Sequence, residues 1–148
     1  MPKFIALAED DNDDQLLFAE ALRQICKEST LRVVPTGMQL LDLLVAHQHA
    51  LPDVVVMDVN MPGMSGIECL KIIRSRFGLL PVAVMSTSSD IETIDAAFES
   101  GADCYVVKPG KYSELKAVIE KIIITDWPSL APARSRDNFL LKALITTR

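Results

Sequence analysis

An α/β fold, with a doubly wound parallel sheet of five strands and helices on both faces, is predicted by three observations. Short apolar runs alternate five times with longer amphipathic stretches. The best of these runs are continuous rather than alternating, as strands covered on both faces should be. The connections are short, which suits β–α–β units and right-handed crossovers.

Phe4 to Ala8 (FIALA) is the first such run. Helical spacing follows over residues 13–27, with Phe18, Ala21, Leu22 and Ile25 on one stripe. Leu31 to Val34 reads as a second strand and residues 38–46 as a second helix. Residues 53–57 (DVVVM) form the clearest buried strand, with Asp58 at its carboxyl end. The loop NMPGMSG carries Pro62, Gly63 and Gly66 as turn punctuation before a helix over residues 67–77. Residues 81–85 make a fourth strand, residues 91–100 a fourth helix and residues 104–107 a fifth strand. In the last helix, residues 112–124, Leu115, Val118, Ile119, Ile122 and Ile123 share one apolar face.

For five such units the flavodoxin-like strand order 2-1-3-4-5 is the natural topology. Ligands of these sheets bind outside the carboxyl ends of the strands, at the switch point between strands 1 and 3. Residues 1–125 are expected to form this domain. From about residue 126 the composition changes, and Pro128 and Pro132 among small residues read as a linker. The terminal NFLLKALI is expected to form one short helix, packed on its own domain or on a partner, with no separate effector domain in residues 126–148.

Composition narrows the function. At 148 residues and 49% hydrophobic, the chain can bury a single core. A net charge of −5 weighs against direct nucleic-acid binding, which calls for a basic face. No apolar run approaches the roughly 20 residues that span a bilayer, so no membrane insertion is expected. Acids at Glu9 and Asp10 interrupt any export signal, and Cys26, Cys69 and Cys104 lack metal or disulfide spacing. Reduced thiols and a cytoplasmic location are expected.

Chemistry collects at the strand ends. Glu9 and Asp10 follow strand 1 and Asp58 follows strand 3, so three carboxylates crowd together. They repel one another unless a cation joins them, and oxygen-only ligands suit Mg²⁺. Ser86 ends strand 4 and Lys108 follows strand 5. A carboxylate nucleophile, a hard metal, a hydroxyl and an ammonium together suit phosphoryl transfer.

Four motifs in order, A-E-D-D, V-V-V-M-D-V-N-M-P-G-M-S-G, V-A-V-M-S-T and G-A-D-C-Y-V-V-K-P, resemble the receiver domains of two-component response regulators over residues 3–124. The resemblance implies that Asp58 accepts the phosphoryl group. It implies Mg²⁺ (with Mn²⁺ able to substitute) on Glu9, Asp10, Asp58 and the backbone carbonyl of Asn60. Ser86 would be the switch hydroxyl, and Lys108, before Pro109 in what resembles a cis peptide, would contact the phosphoryl group. Tyr105 resembles the aromatic partner of that switch, and Asn60 and Ser88 the positions that tune hydrolysis. The implied donor is a sensor histidine kinase or histidine phosphotransfer protein. Output would pass to a protein target through the helix 4–strand 5–helix 5 face of a stand-alone regulator, and a homodimer is allowed.

Several residues depart from the family pattern or read more plainly. Ser86 stands where Thr is commoner, Thr87 is large for its position, and Gly110 replaces a bulkier residue. Asp11, Asp13 and Asp14 read as cap and charge for the first helix rather than as ligands. His47 and His49 read as solvated. An Asp-nucleophile phosphatase would need an acid two residues after Asp58, where Asn60 stands. A pseudo-receiver that binds partners without taking phosphate is the remaining alternative.

Overall fold

The computed structural model describes residues 3–127, Ser135 and Phe139. Its elements run β1 (Phe4–Ala8), α1 (Asn12–Ile25), β2 (Thr30–Val34), α2 (Gly37–Ala46), β3 (Val54–Met57), α3 (Gly66–Phe77), β4 (Val82–Ser86), α4 (Ile91–Glu99), β5 (Cys104–Val107) and α5 (Tyr112–Ile124). The strands form one parallel sheet in the order β2-β1-β3-β4-β5, as predicted.

The continuous apolar runs divide by pleat. Ala6, Ala8, Val55, Met57, Val82, Val84 and Tyr105 face one way, against Leu40 and Leu44 of α2, Leu70 and Ile73 of α3, and Ile94 and Ala97 of α4. Their neighbours Ile5, Leu7, Val54, Val56, Ala83, Met85 and Val106 face the other way, against Phe18 and Leu22 of α1 and Val118, Ile119 and Ile122 of α5. A period of two along each strand therefore feeds two separate cores. β2, at the sheet edge, is mostly exposed.

Local hydrogen bonding sets the ends that periodicity leaves loose. α1 stops at Ile25, two residues early, because Cys26 is extended while its N–H still donates to Leu22 O. α3 begins at Gly66, where Ser65 and Glu68 form a reciprocal capping box. β3 begins at Val54, because Asp53 brackets the end of β1 instead. Its N–H donates to Phe4 O at 2.7 Å and its Oδ2 accepts from Phe4 N at 2.7 Å. Pro81 contributes only a carbonyl, to Val55 N at 2.8 Å, so β4 runs from Val82 to Ser86.

Arg74 ties the opposite end of the sheet together. Its Nε donates to Gly101 O at 2.9 Å, and Nη1 donates to Gly78 O at 3.0 Å and Leu80 O at 2.7 Å. Its Nη2 meets Asp103 Oδ2 at 3.0 Å, and the same oxygen accepts from Val82 N at 2.8 Å. Both side chains are largely buried, so truncation removes one partner of a desolvated pair. Arg74→Ala is expected to cost about 2–4 kcal/mol. That corresponds to a fall in Tm of roughly 4–16 °C in a thermal melt.

None of the three cysteines forms a disulfide among the described residues, and burial pushes the Cys69 thiol up to about 11. Trp127 folds back on α5, its indole N–H donating to Ile122 O at 3.1 Å. Phe139 is fully buried, edge-on to Phe98 at 5.2 Å and 6.3 Å from the Tyr105 ring. At this residue the chain returns to its own domain, beside α4 and β5. The expected linker around Pro128 and Pro132, and the rest of the expected terminal helix, lie outside the described residues.

Candidate functional site

The parallel ladder continues one residue beyond several strands and fixes where the polar side chains stand. Glu9 N donates to Val34 O at 2.9 Å, Asp58 N to Ala8 O at 3.1 Å and Lys108 N to Ser86 O at 2.7 Å. The carboxyl ends of β1, β3, β4 and β5 thus deliver Glu9, Asp58, Ser86 and Lys108 to one edge of the sheet.

The predicted acids meet. Glu9, Asp10 and Asp58 each offer a carboxylate oxygen, and these oxygens lie within 4.8 Å of one another. Glu9 and Asp58 are buried, whereas Asp10 is exposed. Burial raises the Glu9 carboxyl above the usual range, an effect opposed by its hydrogen bonds from Lys108 and the Asp11 backbone. Its Oε2 accepts from Asp11 N at 3.0 Å. Asp58 Oδ1 accepts from Asn60 N at 3.1 Å, which orients the carboxylate over the start of the following loop. Oxygen-only donors, two of them buried, at this separation fit a small hard dication with water completing its shell.

Lys108 Nζ lies 2.7 Å from Glu9 Oε1, 2.8 Å from Asp14 Oδ2 and 3.0 Å from Asp58 Oδ2. Burial alone would lower the ammonium's pKa, but the three carboxylates outweigh it and hold the group above the ordinary lysine range. Lys108 is therefore a fixed positive charge beside Asp58 across the physiological range. The Lys108–Pro109 bond, expected to be cis, is trans, since no cis peptide occurs among the described residues. Trans is the lower-energy isomer of an X–Pro bond by about 0.5–1 kcal/mol.

Ser86 is fully buried and its Oγ accepts from Ser88 N at 3.2 Å. Ser88 O in turn accepts from the Tyr105 hydroxyl at 2.8 Å. Burial raises the phenol's pKa, so it stays a donor. Ser86, Ser88 and Tyr105 form one hydrogen-bonded path from the strand ends toward α4. Thr87 between them is exposed. His47 is half-buried, edge-on to Phe4 at 5.2 Å, and has no place at the site.

Asp14 belongs to the site although it reads from sequence as a helix-start charge. Asp11 is the cap, accepting from Asp14 N at 3.0 Å. Asp14 stands four residues before Phe18, on the stripe that α1 turns toward the sheet, and that spacing was the available signal.

Comparison with known proteins gives these residues a family. The response regulator receiver domain matches residues 10–120. The chain is 32% identical over 117 residues to the DNA-binding transcriptional regulator NtrC of Klebsiella pneumoniae, covering 79% of this chain but only 24% of that protein. It is 29% identical to the probable methanogenesis regulatory protein FilR2 of Methanothrix harundinacea, covering 82% of this chain and 81% of that protein. Among solved structures, the phosphorylated cyanobacterial phytochrome response regulator RcpA superposes with a TM-score of 0.77 at 30% identity, over 88% of this chain and 97% of that one. The Mn²⁺-bound response regulator Rcp1 does so with a TM-score of 0.72 at 26% identity, over 82% and 91%. The chain belongs to the response regulator receiver domain family.

Proposed function

We propose that this receiver domain takes a phosphoryl group onto Asp58 from a phosphohistidine on a sensor kinase or a phosphotransfer protein. The observation that carries this reading is the placement of Asp58. Its carboxylate lies 3.0 Å from the Lys108 ammonium and within 4.8 Å of carboxylate oxygens of Glu9 and Asp10. An Asp58 oxygen attacks phosphorus, an O–P bond forms and the N–P bond breaks, and the imidazole leaves with the electron pair and later takes up a proton. Lys108 offsets charge on the phosphoryl oxygens. Glu9, Asp10, Asp58 and the Asn60 carbonyl would hold Mg²⁺, or Mn²⁺ in its place. When bound, the ion supplies positive charge to the same oxygens.

The added phosphoryl group carries about 1.5–2 negative charges. A Ser86 hydroxyl that turns to donate to it gives up its bond from Ser88 N. Ser88 also holds the Tyr105 hydroxyl, so the change reaches β5 and the neighbouring faces of α4 and α5. That surface is the proposed output to a protein target. Asn60 and Ser88, two residues past Asp58 and Ser86, are assigned to tuning the lifetime of the phosphoryl group. Residues 1–125 form the proposed switch unit, acting through a partner or a homodimer as a stand-alone regulator in the cytoplasm.

Intact mass after incubation with acetyl phosphate and Mg²⁺ tests the reading. One phosphoryl group per chain is expected, with none when EDTA accompanies the reaction. A folded protein that gains no mass under these conditions would favour the pseudo-receiver. That reading keeps the fold and loses the chemistry.

A further inference from the structure

Lys108 spends its three protons on three carboxylates, but only Glu9 and Asp58 belong to the acidic cluster. The third partner, Asp14, comes from the first turn of α1. The N-cap bond from its N–H to Asp11 Oδ1 fixes where it stands. Its side chain is 39% exposed, against 6% for Glu9 and 9% for Asp58. Beside the pair lies a cleft of about 60 Å³ lined by Asp14, Phe18, Met85, Lys108, Pro109 and Leu115.

With three pairs made, the ammonium has no donor free for a phosphoryl oxygen, so one pair must open. Opening Glu9 or Asp58 would strand a buried carboxylate, which is costly. Opening Asp14 returns a partly exposed carboxylate to water, which costs much less. Asp14 is also a negative charge close to where an anionic group must arrive.

Resting on the assignment of Asp58 as phosphoacceptor, we propose that Asp14 is a positioning residue for phosphoryl transfer. It holds Lys108 in the unphosphorylated protein and competes with the phosphoryl group for that ammonium. Its removal should therefore favour the occupied state, whereas loss of a supporting residue would weaken it.

Beryllofluoride, a stable phosphoryl mimic, tests this by calorimetric titration of the full chain in Mg²⁺. Asp14→Asn is expected to bind it about threefold to tenfold more tightly than the unaltered protein. Asp13→Asn makes the same change of charge in the same helical turn, at an exposed residue that is not a partner of Lys108. It should change the affinity less than about twofold. The Lys108 Cε resonance of the unliganded protein should move in Asp14→Asn and stay in place in Asp13→Asn. Equal tightening in the two variants, or weaker binding in Asp14→Asn, would overturn the proposal and leave the Asp58 assignment standing. A folded, unaltered protein that binds no beryllofluoride would remove the Asp58 assignment and this proposal together.

Discussion

Asp58→Asn gains no phosphoryl mass from acetyl phosphate in Mg²⁺, yet keeps its fold. The two halves of this expectation have separate causes. A carboxamide oxygen shares its electron pair with nitrogen and carries no charge, so it is a poor nucleophile toward phosphorus. The shape of the side chain is unchanged, and an amide oxygen can still accept from Asn60 N, as Asp58 Oδ1 does at 3.1 Å. The amide nitrogen would then face the Lys108 ammonium, donor against donor, and one pair is lost. Lys108 retains Glu9 and Asp14 at 2.7 and 2.8 Å. The expected cost is under about 2 kcal/mol, or a fall of no more than roughly 8 °C in Tm. Intact mass and a thermal melt on the same sample check both halves. Stoichiometric phosphorylation of the variant would show that another residue is the acceptor.

Gly66→Ala is expected to have the largest effect on the fold. A methyl group at Gly66 would stand 2.5 Å from Asp58 O, 2.6 Å from Val59 Cα and 3.1 Å from Val59 O. All three atoms are backbone, so no side chain can swing away. Gly66 N also donates to Val59 O at 2.7 Å, which holds the start of α3 against this loop. The variant must push α3 off the loop or displace the peptide of Asp58 itself. A loss of about 3 kcal/mol or more is expected, read as a fall in Tm of roughly 6–12 °C. Phosphoryl uptake should fall as well, because the displaced carbonyl belongs to the nucleophile. Gly63→Ala provides the contrast. Gly63 has φ 78° with nothing within 4 Å of the added carbon, so that variant meets only the backbone penalty of about 1–2 kcal/mol. Equal melts for the two would mean that crowding at Gly66 is relieved without displacing Asp58.

The sheet and both cores were legible because burial on two faces leaves a plain mark. FIALA and VVVM admit few readings other than strand interiors, and Phe18, Ala21 and Leu22 fix the inward stripe of α1. The acids, Ser86 and Lys108 were legible because strand ends and motif spacing place them together. Asp14 was not, since an acid in a first turn has a sufficient local explanation and its pairing with Lys108 spans 94 positions. Arg74 was equally silent. Its acceptors are chiefly carbonyls, which any residue supplies, so no pattern of side chains announces them. Phe139 sits in the NFLLKALI stretch, which reads as a short helix that must dock somewhere, and only its packing beside Phe98 and Tyr105 reveals where.

The burial of Phe139 has a consequence for the order in which the fold is completed. Synthesis proceeds from the amino end, so every strand and helix through Ile124 is made before this ring exists. Until it arrives, Phe98 and Tyr105 share a wall with a missing neighbour, on the side of the sheet where α4 packs. A nascent chain can pair its strands early and still carry an apolar opening there. The ring that closes it is made only after the whole sheet and all five helices, so the newborn domain passes through a sticky stage before this wall is finished.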